Sequence, residues 1–399
     1  TDVTWWRDLQ LPARAIIGRD GRILADPEAL EHFTEAGRAA YGEIVGLTPF
    51  SARKRMVELL REAGELIGEP TPLVHPVKFF EKGDKPLEVI STRQWYVANG
   101  ARDEALRARL IEAGKKIAFH PDHMRVRYEN WIGGLTGDWL ISRQRFFGVP
   151  IPVWYRIDEQ GERGEVLVPD EASLPVDPST DVPAGFTEDQ RGVPGGFEGD
   201  HDIMGTRAPS SLTPQIAGGW ADDPELFDLV FPFDLRSQGQ DIIRTWLFST
   251  VLRAELESGT VPWGNAGISG FIVDPDRKKM SKSKGNVVTP AAMLDEHGSD
   301  AVRYWAASSR LGSDAAFDPQ NPKLMKIGRR LAIKVLNAAK FVHGFEASPD
   351  TMPTRPLDLD LLAELAVVVR TATKAYEDYD HARALEATEQ SFWTFCDDY

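Results

Sequence analysis

The stretch Arg277-Lys278-Lys279-Met280-Ser281-Lys282-Ser283-Lys284-Gly285-Asn286 places five cations in eight positions, separated by small hydroxyl residues and closed by Gly-Asn. It follows the apolar run Gly270-Phe271-Ile272-Val273, whose composition predicts a strand. A positive loop at the carboxyl end of a strand stands where open α/β sheets bind their ligands. Lysine ammonium groups can follow charge as it develops on a leaving polyphosphate, while hydroxyls and backbone N–H groups take the remaining acceptors. By itself a lysine-rich loop is more often a solvated turn, so the chemistry depends on what the rest of the chain brings beside it.

The surrounding elements read as follows. Residues Ala15 to Leu24 alternate around Asp20-Gly21 and predict a hairpin. Met56, Leu59, Leu60, Ala63, Leu66 and Ile67 keep the 3.6-residue period, which predicts a helix with Ser51 as N-cap and Gly68 as its stop. Val89 to Val97 reads as a buried strand and Asp103 to Ala113 as a helix. Between Asp158 and Asp200 the composition shifts to Gly, Pro and acid, which predicts a loop-rich insertion. Strands near Ile268 to Val273 then alternate with helices, one capped at Thr289-Pro290, and this alternation favours a parallel sheet. From Lys323 onward the spacing is helical: Leu331, Val335, Leu336 and Ala339, then Leu357, Leu361, Leu362 and Leu365. Lys323, Lys326, Arg329, Arg330 and Lys334 share that spacing and could track an RNA backbone, supplying affinity without sequence reading.

Composition narrows the class. Forty-six basic against sixty-one acidic residues give a net charge of −15, which argues against a whole-surface polyanion binder but leaves room for a local basic stripe. No run approaches the roughly 20 apolar residues of a membrane helix, and no signal segment opens the chain, so a cytoplasmic protein is expected. The single cysteine, Cys396, excludes an internal disulfide and a cysteine-cluster zinc site, and is expected to be a small buried apolar residue. The chain opens at Thr1 and closes inside an apolar helix at Tyr399, which reads as a piece of a longer protein.

Lys279-Met280-Ser281-Lys282-Ser283 resembles, letter for letter, an element of the class I aminoacyl-tRNA synthetases. Gly239-Gln240-Asp241 is similar to that family's Gly-x-Asp, whose glycine admits the ATP ribose and whose carboxylate accepts its hydroxyls. Asp138-Trp139-Leu140-Ile141-Ser142-Arg143-Gln144, followed by Arg145 to Pro152, resembles a block of the valine, isoleucine and leucine branch. The valyl members are suggested by Asp241-Ile242-Ile243-Arg244-Thr245-Trp246, by Leu212 to Ile216 and by Asn337 to Phe341. The resemblance implies ATP-dependent attachment of valine to tRNA(Val) through an adenylate, with ATP and Mg2+ required and a monomer when intact. Lys279 and Lys282 would be catalytic; Gly239, Asp241, Gly270, Phe271, Met280, Ser281 and Ser283 would join them around ATP. Ile242 and Trp246 would wall the amino-acid pocket. An apolar pocket rejects threonine poorly, the limit for which valyl- and isoleucyl-tRNA synthetases are the worked example, and editing is the usual remedy. Thr1 to Trp6 resembles the end of such an editing site, with Asp2 as the amino-group ligand. The alternatives are an isoleucyl relative, or a tRNA-binding fragment without catalysis.

The resemblance implies an α/β fold: the second half of a Rossmann-type catalytic domain, preceded by the end of a β-rich editing insertion and followed by an α-helical tRNA-binding domain. The expected boundaries are 1–88, 89–310 with the insertion at 156–230, and 311–399. Two departures stand out. The family's His-x-Gly-His element, which grips ATP phosphates, is not in the chain, so the chain alone is expected to be inactive. At Met204 to Ser211 the valyl pattern would have Asp, Trp and Thr where this chain has Gly205, Arg207 and Pro209, putting Arg207 at a wall of the amino-acid pocket. A cation against an apolar side chain is costly unless it swings to solvent.

Overall fold

Helices begin where a side chain takes up the free N–H groups of the first turn. Thr48 accepts from Ser51 N at the start of one helix, Asp103 from Leu106 N at another, and Asp380 from Arg383 N at the last. A computed structural model describes residues 2–25, 30, 33–74, 76–79, 86–280, 285–346 and 352–399, with the side chains of residues 2, 3 and 7 outside the described set. The chain divides into two compact units, Thr1–Gln94 and Trp95–Tyr399.

In the first unit, α1 is Asp2–Asp8, α2 Glu35–Gly42 and α3 Pro49–Glu62. The hairpin is present as the antiparallel bridge Ile17–Ile23, with Gly21 at φ +73°. Ile23, Leu30, Tyr41, Ile44 and Ala52 form its core, and the Tyr41 hydroxyl donates to the Leu24 carbonyl at 2.9 Å. Two expectations are corrected here. The cap of α3 is Thr48, and the helix ends at Glu62 because Gly64 turns left-handed at φ +72°, before Gly68 is reached. The rest of the described part is extended, its β pairing being the bridges Ile17–Ile23 and Phe79–Pro86.

The second unit opens with β1, Tyr96–Val97, the part of Val89 to Val97 that forms a strand; Val89 is 86% exposed, so no buried strand runs through it. Then come α4 Glu104–Lys116, β2 Ala118–His120, α5 Arg125–Gly133, β3 Trp139–Leu140 and β4 Ser142–Arg143. The insertion is built on β5 Trp154–Ile157, β6 Arg163–Leu167 and β7 Phe197–Gly199, a three-stranded antiparallel sheet ordered β6-β5-β7. Arg163 holds Glu198 in two parallel bonds of 2.7 Å, which keeps that carboxyl below its usual range, His201 assisting. Asp200 accepts from Trp95 Nε1 and the Tyr155 hydroxyl, both at 2.7 Å, and burial together with that contact pushes the Tyr155 phenol up to about 12.

There follow β8 Ile203–Met204, α6 Arg207–Ser210, α7 Thr213–Ala217, α8 Pro224–Val230, β9 Phe233–Gly239, α9 Phe248–Ser258, β10 Trp263–Ser269 and β11 Ile272–Val273. The parallel sheet expected from the alternation is β2-β10-β9. Leu110, Tyr128, Ile132, Leu247, Val251, Leu252, Ala266 and Ile268 fill the space between α4, α5, α9 and this sheet. At the outer strand β9, Asp234 to Ser237 are exposed, and the charges of Asp234 and Arg236 stand on that edge. The unit closes with α10 Ala291–His297, α11 Ser299–Ala307, β12 Ala315–Ala316, α12 Lys323–Val342, α13 Pro356–Glu377 and α14 His381–Asp398. Pro290, not the Thr289 side chain, stands at the start of α10. Cys396 is half-buried on α14 rather than buried. Among the described residues no helix is long and apolar enough to cross a membrane.

Gly114 lets α4 and α5 close up: a Cβ there would lie 2.4 Å from Cε1 of Tyr128, a ring with no exposure whose hydroxyl donates to Leu110 O at 2.9 Å. Alanine would gain up to about 1 kcal/mol of helix propensity but force the ring aside at about 1–3 kcal/mol. Gly114→Ala is therefore expected to lower the thermal midpoint; a rise would mean that the ring relaxes freely.

Candidate functional site

The register of β9 on β10 sets Gly239 opposite Ser269, so both strands end at the same level. From Gly239 the chain makes a tight turn at Gln240–Ile242 and one wide turn at Ile243–Leu247 before α9. That turn carries Asp241 out over the strand ends. A Cβ on Gly239 would sit 2.8 Å from Asp241 Oδ1, so the glycine leaves the carboxylate its room.

From Ser269 the chain reaches Gly270, where a Cβ would lie 2.2 Å from the Ser313 carbonyl oxygen. Only glycine allows β11 to lie against β12 there. Beyond β11 the basic stretch folds back as a hairpin, with Val273 bridged to Lys279, Asp274 N donating to Lys278 O and Met280 N to Ile272 O. The Met280 side chain packs on the buried cluster of Met293, Ala301, Phe317 and Met325.

This return brings Lys279 to Asp241. Its Nζ donates to Asp241 Oδ2 at 3.0 Å and stands 4.1 Å from the centre of the Phe271 ring. The residues predicted around a polyphosphate, Gly239, Asp241, Gly270, Phe271, Lys279 and Met280, thus lie together. Ser281, Lys282 and Ser283 lie outside the described residues. A carboxylate able to accept sugar hydroxyls, beside an ammonium able to meet phosphate, is an arrangement suited to a nucleotide. Both partners are nearly half exposed, at 48% for Lys279 and 44% for Asp241, so the pair is worth less than about 1 kcal/mol and can be exchanged for a ligand.

Residues 22–318 match the sequence profile of the tRNA synthetases class I (I, L, M and V). The chain belongs to this family. It is 67% identical over its whole length to the Valine--tRNA ligase of Leifsonia xyli subsp. xyli, covering 47% of that protein, and 63% identical to that of Thermobifida fusca, covering 46%. The chain spans about half the length of the curated relatives it matches. In structure it is similar to a LeuRS of Agrobacterium radiobacter K84 solved as a ternary complex with tRNA and LeuAMS. The TM-score is 0.52 and the identity 21%, over 65% of this chain and 36% of that one, which shows the class I synthetase fold.

The remaining expected positions of this synthetase chain have other surroundings. Trp246 stacks on Trp263 with ring centres 5.5 Å apart, carries the Arg236 guanidinium 4.2 Å over its face, and donates Nε1 to Ser210 O at 3.0 Å. Ile242 is half-buried. Neither is among the residues lining the cavities on which exposed Arg207 opens. Asp2 begins α1, its side chain outside the described set.

Two contributors escaped the sequence reading. Asp314 Oδ1 accepts from Phe271 N at 2.8 Å and from Gln240 Nε2 at 3.2 Å, tying the Gly-x-Asp turn to the strand that leads into the basic loop. Asp274 Oδ1 accepts from Lys278 N at 2.8 Å and Oδ2 from Asn286 Nδ2 at 2.9 Å, closing the loop at its base. The Asp274 contacts had a sequence signal, since Asp-Pro-Asp-Arg is turn chemistry; the 43-residue separation of Asp314 from Phe271 leaves none.

Asn286 first and the Lys278 amide second hold the Asp274 carboxyl below its usual range. Such a depressed group contributes its stabilisation above the unfolded carboxylate range and loses it as pH falls through the folded value. Protection of the Lys278 amide in hydrogen exchange is therefore expected to be full near neutrality and to fall in acid. In Asp274→Ala it should be low at every pH; an unchanged profile would remove Asp274 from the closure of the loop.

Proposed function

We propose that the protein containing this chain joins valine to tRNA(Val) in two steps. In the first, a carboxylate oxygen of valine attacks the α-phosphorus of ATP, and the bond to the bridging oxygen of pyrophosphate breaks. In the second, the 3′-terminal ribose of the tRNA takes the valyl group and AMP leaves. The reading is carried by the Asp241–Lys279 pair at the joint ends of β9 and β10, in a chain 67% identical to a Valine--tRNA ligase.

Each residue has a task. Asp241 exchanges Lys279 for the ribose hydroxyls, Gly239 lets the sugar approach, and Gly270 and Phe271 form the floor. Lys279 and Lys282 meet the negative charge gathering on the leaving pyrophosphate, Met280 anchors the loop in its apolar cluster, and Ser281 and Ser283 supply hydroxyl donors. Mg2+ would travel on the nucleotide, because among the described residues no three His, Cys, Asp or Glu side chains converge on one point. Ile242 and Trp246 would shape the valine pocket. Exposed Lys323, Lys326, Arg329 and Arg330 on α12 offer a stripe for the tRNA backbone. Hydrolysis of mischarged threonine, with Asp2 on its amino group, completes the proposal, and the cytoplasm is the compartment we assign.

In the protein extended to the length of its relatives, valine-dependent pyrophosphate exchange is expected, with isoleucine far weaker; preference for isoleucine would overturn the substrate. Lys282→Ala should lower the rate of adenylate formation by a factor of a hundred or so while changing ATP affinity little, as for a contact made in the transition state. Equal losses in rate and affinity would remove that role. Asp314→Ala should raise the KM for ATP through the freed turn, and Asp314→Asn, which keeps an acceptor oxygen, should restore most of it. A KM unchanged in Asp314→Ala would separate Asp314 from the nucleotide site.

A further inference from the structure

Two adjoining cavities of about 410 and 430 Å3 in the second unit share the wall Trp139, Leu140, Arg143 and Arg207. Arg244 also lines the first and Arg145 the second, so each cavity has three arginines in its lining in a chain whose net charge is −15. The one carboxylate in the lining, Asp138, stands 3.8 Å from Arg102. Among the described residues no carboxylate pairs with Arg143, Arg145, Arg207 or Arg244. None of the nucleotide-site residues Gly239, Asp241, Phe271 or Lys279 lines either cavity.

The cleft is organised for one kind of ligand. Arg143 donates Nη1 to the carbonyls of Ser142 at 2.7 Å and Leu140 at 3.3 Å, which fixes the plane of its fork and leaves its other donors for a ligand. Gly205 makes space for that fork, since a Cβ there would lie 3.3 Å from Arg143 Cζ. The indole Nε1 of Trp131, a lining residue of the first cavity, is buried without a hydrogen-bond partner among the described residues. By contrast the Asn99 amide is occupied, giving Nδ2 to Gly137 O and taking Ala101 N. What remains on offer is donors, several of them charged and planar, and planar charged donors select oxyanions.

We propose that this cleft binds a small oxyanion, a phosphate or the phosphate of a monoester, held by Arg207 and Arg244 with Arg143 and Trp131 as further donors. The site shares no lining residue with the proposed nucleotide site, and its wall includes Arg207, which takes the place of an apolar pocket residue of the family pattern. Both Arg207 and Arg244 are exposed, so truncating either leaves the core untouched.

The test is calorimetric titration of the full chain carrying Lys279→Ala and Lys282→Ala, so that the basic loop does not contribute. Inorganic phosphate should bind saturably in the millimolar range or tighter, and Arg207→Ala and Arg244→Ala should each weaken it about tenfold or more. Arg253→Ala, which removes a cation already paired with Glu257 away from the cleft, should leave binding unchanged. AMP serves as the second probe: affinity equal to that of phosphate assigns the site to a free oxyanion, and tighter binding that Arg207→Ala abolishes assigns it to a nucleotide phosphate. No saturable binding, equal affinity in Arg207→Ala and Arg244→Ala, or an equal loss in Arg253→Ala would overturn the proposal. Thermal midpoints matching the parent establish that the variants are folded.

Discussion

Everything at the proposed nucleotide site hangs on the parallel pairing of β9 with β10. Because Gly239 is level with Ser269, the turn carrying Asp241 and the segment leading to Lys279 start from neighbouring points. Slipping the register by one residue would turn every side chain of β9 to the opposite face and move Asp241 along the strand by about 3.3 Å, beyond a hydrogen bond to Lys279. The register is held by the burial of Ala266 and Ile268 beneath α9, whose Val251 and Leu252 have no exposure. Packing far from the site thereby decides whether a carboxylate and an ammonium meet at it.

Two glycines refine that arrangement by what they lack. At Gly270 the neighbouring carbonyl occupies the place of a side chain, so β11 enters the basic loop pressed against β12. Gly328 does the same for helices, since a Cβ there would lie 2.5 Å from Tyr304 Cβ, and the two helices α11 and α12 lie close as a result. Tyr304 in turn donates to Glu389 on α14 at 2.6 Å, and burial with that contact raises its phenol to about 12. Through these contacts α11, α12 and α14 are held together.

Much of this was legible in the residues themselves. The parallel sheet, the helix after Asp103, the helical tail and the meeting of Asp241 with the Lys279 segment follow from periodicity, caps and a resemblance borne on consecutive letters. The failures have physical causes. Val89 to Val97 has the composition of a strand, but its strand pairing is confined to Tyr96 and Val97, and β composition without a partner strand does not make a strand. Ser51 and Thr48 are both good caps, and Pro49 at the first helical position selects Thr48. Asp314 was invisible because its two donors lie 43 and 74 residues away along the chain. The stacking of Trp246 on Trp263, under Arg236 and beside Ser210, likewise rests on residues far from it along the chain and left no signal in its own segment.

Asp241 and Lys279 answer each other across the site in the absence of any third party, and this gives the site a simple logic. A molecule bearing only phosphates takes Lys279 and strands a carboxylate; one bearing only a sugar takes Asp241 and strands an ammonium. Only a molecule presenting both, at the spacing of the two groups, leaves neither bare. Since the pair is half in water, each stranding costs less than about 1 kcal/mol, or roughly fivefold in affinity. On the proposed reading the ion pair would therefore work as a mild coincidence detector, favouring whole nucleotides over their fragments.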